Sequence, residues 1–391
     1  MRILIITPDI YPYQKGYGGR NPINIFKTFN KMGHSVGLLT SVPANVYIGI
    51  DPNALINNLE IVKLRSFNFI PNDLQYVSPI YIRDTRKVKR ILYQEDYDII
   101  ILNDYFWTLS FVALLLMGRR NRSRIIMINH GIISPPGYFF RFIFKLFSIV
   151  VSRIFITQFK GILSYSNRTY KELEKILPAS LKHIVHPSCI DYSKFRADYD
   201  RSLSTSSQEI REKFRISGSF IFSISSISPH KGYEVLINAF SHLLEQYPNI
   251  DLVLAGQMTQ YGKQLRKLCD DLGISKNVRF VGTISDPEKF NLMMKSTIFV
   301  IPSLREGFGA GAMEADVLQV KVVATDTGAH KEILSGNRFS RIVETGNSIE
   351  LYNAIDDLIS IKEEPARTLD VAKLCRYSCE SLCEAILSEF T

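Results

Sequence analysis

Short apolar runs alternate with longer amphipathic stretches along almost the whole chain, in two rounds. The first opens with ILIIT, passes a glycine-rich turn, KGYGGRNP, and a helical pattern, INIFKTFNKMGH, closed by Gly33, and reaches SVGLLT. LEIVKL at 59–64, YDIIIL at 97–102, RIIMIN at 124–129 and KGILSYS at 160–166 follow, with the helical segment YIRDTRKVKRILYQ among them. The second round begins at SFIFSIS. It runs through a helix, YEVLINAFSHLLEQY, a strand, IDLVLAG, and a helix, GKQLRKLCDDLG, closed by Gly273. VRFVG, STIFVIP and VKVVATD are its further strands. Strands that alternate with helices imply parallel sheets. The predicted fold class is α/β, with two Rossmann-like, doubly wound domains. A chain of 391 residues is long enough for two cores.

The first domain is predicted over 1–195. Residues 196–215 are polar and contain SLSTSSQ, which reads as a linker or surface loop. The second domain spans 216–368. A last helix is expected over 369–391, packing back toward the N-terminal domain.

The formal net charge of +9 suits nucleic acid, anionic nucleotides or an acidic membrane surface. No RNP, KH or zinc signature is present, and the arginines are interleaved with large aliphatics, so no nucleic-acid partner is expected. Five cysteines without a compact framework read as reduced thiols in a cytosolic protein. Cys375, Cys379 and Cys383 recur every four residues, which puts them on one helix face. No CxxC or nearby histidine supports a metal, so apolar packing is expected. The start, MRILIITPDIYP, reads as a buried strand rather than a signal peptide.

Residues 138–156, YFFRFIFKLFSIVVSRIFI, are aromatic-rich and carry Arg141, Lys145 and Arg153. Between Asp104 and Glu172 there are ten lysines and arginines and no acid. The insertion cost of those charges argues against a membrane span. An interfacial amphipathic helix fits better, with a long core helix as the competing reading. The expected setting is cytoplasmic and peripheral, against an anionic membrane on the inner face of the cytoplasmic membrane.

Chemistry concentrates in PSLREGFGAGAME, residues 302–314, just past the strand STIFVI. Glycines 307, 309 and 311 suit a phosphate, but Glu306 and Glu314 should repel one. An ionised carboxylate only accepts hydrogen bonds, so sugar hydroxyls are the better ligands. Glu306 would sit in the loop before a helix and Glu314 about two turns into it, at most about 12 Å of rise away. The amides of Gly309 and Ala310 would open that helix toward an anion.

Together these stretches resemble the retaining glycosyltransferases of GT-B architecture that carry a Glu-x7-Glu signature, the family 4-like "glycosyl transferases group 1". The matching stretches are EGFGAGAME, GYGGRNPINIFKTFNKMGHSVGLLT, SPHKGYEVLINAF, VVATDTGAHKEI and YSCESLCEAILSEF. The resemblance implies two Rossmann-like domains facing across a cleft, with the donor bound by the second. It implies that Glu306 binds hydroxyls of the transferred sugar and Glu314 those of the ribose. Lys231 of HKG would neutralise the donor diphosphate. His130 of NHG would contact the donor sugar near its sixth carbon. Gly18 and Gly19 would let the first-domain backbone approach the diphosphate or the acceptor pocket. The catalytic set is then Glu306, His130 and Lys231. Donor binding adds Gly18, Gly19, Ser226, Gly309, Ala310 and Glu314.

The chain departs from the family pattern in several places. Ser225-Ser226 stands where Gly-Arg is usual, so one guanidinium is missing, and Ser226 can donate only one hydrogen bond. Gln319 and Lys321 replace a glycine and a proline. Gly311 replaces a proline, which loosens the first helical turn. Glu332 follows the threonine-glycine loop and would order it.

The resemblance implies a hexosyltransferase that retains anomeric configuration. No DxD stands beside a suitable strand, so neither a metal nor a tightly bound cofactor is expected. The donor is a nucleotide sugar, GDP- or UDP-linked, and the acceptor a glycan or lipid-linked glycan of cell-surface polysaccharide or glycolipid assembly. The alternatives are an epimerase or phosphorylase on the same fold, or an inactive nucleic-acid-binding protein.

Overall fold

The computed structural model describes residues 1–8, 17–41, 61–62, 85–94, 96–104, 108–131, 138–175 and 177–391. The chain divides into two units, Met1–Ile190 with Ser378–Thr391, and Asp191–Tyr377.

Among the described residues the first unit holds seven strands: β1 (Arg2–Thr7), β2 (Ser35–Ser41), β3 (Ile61–Val62), β4 (Ile99–Asn103), β5 (Ile125–Asn129), β6 (Gly161–Ser164) and β7 (His183–Val185). Their order is β3-β2-β1-β4-β5-β6-β7, with every pair parallel. The central strands are buried on both faces, which is why they read as unbroken apolar runs. The remainder of LEIVKL lies outside the described residues. The expected turn KGYGGRNP is in part helical, because the helix Tyr17–Lys31 takes in Gly18, Gly19 and Pro22. Pro22 is the sixth residue of this helix, past the first turn, and removes one intrahelical donor there. Buried Asn21 anchors this end: its Nδ2 donates to Tyr165 Oη at 2.8 Å and Ser188 Oγ at 3.1 Å.

The second unit holds β8 (Phe220–Ile224), β9 (Asp251–Ala255), β10 (Val278–Gly282), β11 (Ile298–Ile301), β12 (Val322–Thr325) and β13 (Ser340–Val343). All are parallel, in the order β10-β9-β8-β11-β12-β13. This is the doubly wound order, and the direction of winding reverses between β8 and β11. Tyr233, Phe240, Leu252, Val300 and Ile355 lie in its core, all fully buried. The expected α/β class with two doubly wound units is what the chain forms.

The serine-rich stretch 196–215 is not a loop. It lies in the helices Tyr192–Ser204 and Ser207–Phe214. Ser206 caps the second helix, its side chain accepting from the Gln208 amide. Phe195, Tyr199, Ile210 and Phe214 supply the buried faces. Serine clusters mark helix starts as readily as loops, and the capping role explains the miss. The C-terminal helix is likewise two, Val371–Arg376 and Cys379–Phe390, interrupted at Ser378, the N-cap of the second. Cys375 therefore does not share a helix face with Cys379 and Cys383: it is exposed and they are buried. The Cys379–Phe390 helix belongs to the first unit. Its Phe390 ring fills the space beside Gly161 of β6, where a Cβ would come within 2.2 Å of it.

Candidate active site

The C-terminal ends of β8 and β11 flank the point where winding reverses, the usual ligand position in open α/β sheets. Two loops leave there. One carries Ser225, Ser226, His230 and Lys231, the other Ser303 to Gly309. Gly232 brings them together. Its φ of 68° is left-handed, and a Cβ there would stand 1.9 Å from the Pro302 carbonyl oxygen. The His230 carbonyl accepts from the Leu304 amide at 2.9 Å, closing the contact.

Lys231 Nζ consequently donates to Glu306 Oε1 at 2.6 Å. Ser303 Oγ donates to the same oxygen at 2.7 Å, and the Glu306 amide donates to Thr327 Oγ1 at 3.2 Å. Burial works against the Glu306 charge, but Lys231 and Ser303 outweigh it, and its pKa is lowered from the usual carboxylate value. Glu306 is an ionised, oriented carboxylate.

The helix past Glu306 is Ala310–Val317. Its N-cap is Gly309 at φ 109°, packed so tightly on His330 that a Cβ would come within 2.4 Å of the ring. The first amides of such a helix have no intrahelical acceptor and point outward along its axis. Glu314 is the fifth residue of this helix, about 6 Å along it by rise, and so lies little more than one turn in rather than two. The helix opens at Gly309 and Ala310 as expected, so only the distance from its start to Glu314 is shorter than two turns.

Glu314 Oε1 accepts from Lys289 Nζ at 2.6 Å. Lys289 projects from the helix Asp286–Lys295 and also meets Asp286 Oδ1 at 3.2 Å. Sequence reasoning missed Lys289, Ser303 and Thr327. Only Ser303 had a local signal, at three residues from Glu306.

Ser225 Oγ donates to Tyr233 Oη at 2.9 Å, whereas Ser226 is exposed: its hydroxyl lies 3.4 Å from Ser228 Oγ, and its carbonyl accepts from Ser225 Oγ at 3.3 Å and Ser228 Oγ at 3.4 Å. The pKa of His230 is lowered, by burial first and by Lys231 second. The two replaced positions after Glu314 are accommodated individually. Gln319 takes a left-handed φ of 50°, the reason glycine suits the place. Its carbonyl accepts from Arg367 N at 3.1 Å and its Nε2 donates to Asp370 Oδ2 at 3.2 Å. Lys321 is buried, with Nζ donating to the Ile361 carbonyl and Glu364 Oε1, each at 2.9 Å. Glu332 is exposed in the helix His330–Leu334.

Within the second unit the structure brings Lys231 onto Glu306, places Gly309, Ala310 and Glu314 along the helix that follows, and leaves Ser226 on the loop before Lys231. Gly18, Gly19 and His130 belong to the first. His130 follows β5, its amide donating to Asp104 Oδ1 at 3.0 Å and its Nε2 lying 3.4 Å from Asn103 Oδ1. Its ring meets Tyr165 edge-on at 4.8 Å. Burial lowers its pKa to about 4, so the imidazole is neutral at pH 7. Among the described residues, no group of three or more His, Cys, Asp or Glu side chains is placed to hold a metal ion.

Residues 206–373 match the family "Glycosyl transferases group 1". The chain is 29% identical over 181 residues to a D-inositol 3-phosphate glycosyltransferase of Corynebacterium jeikeium, covering 45% of this chain and 43% of that protein. It is 26% identical over 224 residues to the lipopolysaccharide core biosynthesis mannosyltransferase LpsB of Rhizobium meliloti, covering 56% and 58%. The matches therefore span about half the length of these curated relatives. Among solved structures, HepE of Anabaena in complex with UDP superposes with a TM-score of 0.73 at 19% identity over 99% of each chain. At that identity the likeness is one of fold, and the fold is GT-B. The family's match takes in most of the unit that holds Lys231, Glu306 and Glu314, and that part of the chain is similar to the glycosyl transferases group 1 family.

Proposed function

We propose that the protein is a retaining hexosyltransferase that moves a sugar from a GDP- or UDP-linked donor to a glycan or lipid-linked acceptor. The observation that carries this reading is the set of groups at the winding reversal of the second unit. Lys231, Glu306 and the N-terminus of the Ala310–Val317 helix converge there, with Glu314 one turn further on. Departure of a nucleoside diphosphate builds negative charge on the β-phosphate, which Lys231 and the helix amides stabilise. Glu306 holds the transferring sugar by its hydroxyls, and Glu314 the ribose. Gly18, Gly19 and His130 of the first unit serve the same reaction, the glycines toward the diphosphate or the acceptor and His130 toward the donor sugar. Neutral His130 can exchange hydrogen bonds with a sugar hydroxyl. In a front-face substitution, the bond from the anomeric carbon to the β-phosphate oxygen breaks. The acceptor oxygen bonds to the same face, and its proton passes to the departing phosphate oxygen. No metal enters this scheme.

A role in cell-surface polysaccharide or glycolipid assembly draws support from relatives such as LpsB, named for lipopolysaccharide core biosynthesis. It draws support also from the helix Tyr138–Ile154. Phe142, Leu146, Val150 and Ile154 are 66%, 53%, 45% and 50% exposed at every fourth position, beside exposed Lys145 and Arg153. The opposite face, Ser148, Val151, Ser152 and Phe155, is buried. The Arg141 side chain lies outside the described residues. An apolar stripe flanked by cations suits the interface of an anionic membrane. We place the protein there, peripheral on the cytoplasmic side; no helix among the described residues is long and apolar enough to cross.

A donor screen scored by nucleoside diphosphate release, with and without membrane extract and with and without chelator, tests the reading. Release that requires an acceptor supports it. Epimerised donor or phosphate-dependent release would replace it with an epimerase or a phosphorylase.

A further inference from the structure

Glu314 is held by a side chain that the Glu-x7-Glu spacing does not contain. Lys289 Nζ lies 2.6 Å from Glu314 Oε1, and both side chains are largely buried, 12% and 16% exposed. The lysine is fixed from behind. Its Nζ also meets Asp286 Oδ1 at 3.2 Å, and the other Asp286 oxygen, Oδ2, takes Lys194 Nζ at 2.6 Å. Lys194 in turn pairs with Asp198. Five charges of alternating sign thus run from the helix Tyr192–Ser204, through the N-terminus of Asp286–Lys295, to Glu314 on Ala310–Val317. Burial opposes the Lys289 charge, but Glu314 and Asp286 outweigh it, and its pKa is raised. A lysine held between two carboxylates has little rotational freedom, so its grip fixes the partner's orientation.

Lys289 occupies one carboxylate oxygen of Glu314. Oε2 has no protein partner among the described residues. A vicinal diol offers two hydroxyl donors, and an ionised carboxylate held at one corner presents its remaining lone pairs in a fixed direction. Resting on the assignment of Glu314 to the donor ribose, we infer that Lys289 is a positioning residue for nucleotide recognition. It orients the Glu314 carboxylate so that the enzyme distinguishes a ribonucleoside diphosphate from its 2′-deoxy counterpart. Without it the carboxylate can rotate, and the contact to the 2′-hydroxyl loses its geometric requirement. A purely structural lysine would change stability and overall affinity but would leave that distinction intact.

The experiment is calorimetric titration of the folded, full-length chain with UDP, GDP and their 2′-deoxy forms. Wild-type protein is expected to prefer the better ribonucleotide at least tenfold over its deoxy form. In Lys289→Met the ratio should fall below threefold, and Lys289→Arg should restore most of it. Glu314→Ala should abolish the preference. A wild-type ratio in folded Lys289→Met, with the preference lost in Glu314→Ala, overturns the inference about Lys289 and leaves the Glu314 assignment standing. A preference unchanged in Glu314→Ala overturns both. If Lys289→Met does not fold, Lys289→Gln, which keeps a hydrogen-bond donor but no charge, is read by the same ratio.

Discussion

Lys231 Nζ sits 2.6 Å from Glu306 Oε1, so the cation assigned to the diphosphate is already balanced by the carboxylate assigned to the sugar. The two roles are therefore coupled. A diphosphate near Lys231 competes with Glu306 for one ammonium group, and each gain in lysine–phosphate contact leaves Glu306 freer to accept from a sugar hydroxyl. Glu306→Gln removes the charge and keeps the shape. Transfer should drop at least about tenfold, a loss of roughly 1.4 kcal/mol. Nucleoside diphosphate itself should bind no more weakly, because Lys231 is released from its partner. Turnover at saturating donor together with calorimetry of the diphosphate reads both halves. Wild-type turnover in folded Glu306→Gln would rule out the sugar-binding role.

Glu314→Ala should weaken binding of the preferred nucleotide sugar by roughly 1–3 kcal/mol, the scale of hydrogen bonds to a charged group. It also strands Lys289 without one of its two carboxylates, so a modest loss of thermal stability should accompany it. Unchanged donor affinity in this variant would sink the assignment of Glu314.

Much of this arrangement was legible from the order of residues, and some was not. Strand–helix alternation and unbroken apolar runs depend on local periodicity, so both sheets could be read. Glu306 and Glu314 stand eight residues apart in a glycine-rich context just past an apolar run, so the pair could be picked out of the sequence. The partners were harder. Lys231 lies 75 residues from Glu306, and the SPHKGYEVLINAF resemblance brought it in rather than any spacing. Lys289 lies 25 residues before Glu314 on a different helix, and nothing in DPEKF announces which carboxylate its ammonium reaches. The helix Ser207–Phe214 was missed because its capping serine and the serines around it look like loop composition, while its buried Ile210 and Phe214 are too few to show a period.

Two histidines of the first unit should make the fold acid-sensitive. Burial lowers the pKa of His130 and of His183 to about 4 each, whereas an unfolded histidine titrates near 6.5. Between those values the unfolded chain binds more protons, so stability falls as pH drops from 6.5 toward 4. Buried His130 contributes at most about 1.4 kcal/mol per pH unit in that window, and the half-exposed His183 less, because solvent screens it. Thermal unfolding from pH 7 to pH 4.5 should show the decline, and His130→Asn should make it shallower. An identical decline in that variant would show that His130 does not titrate as its burial demands.

The membrane reading turns on which side of the helix Tyr138–Ile154 is wet. Phe142, Leu146, Val150 and Ile154 form an exposed stripe, and exposed Lys145 and Arg153 flank it. Each cation near an anionic surface contributes on the order of 1 kcal/mol, an attraction that salt screens. The apolar stripe adds a term that salt does not screen, roughly 25 cal/mol for each Å² it buries. Wild-type protein should therefore co-sediment with vesicles containing anionic lipid at low salt and be partly released as salt rises. Lys145→Glu with Arg153→Glu should remove the salt-sensitive part. Leu146→Ser with Val150→Ser should remove the salt-resistant part. Nucleotide binding should survive all four substitutions, because its residues in the second unit are untouched. Wild-type protein that never pellets with anionic vesicles, even at the lowest salt, would show that the stripe does not meet lipid and would leave the acceptor to be sought among soluble glycans.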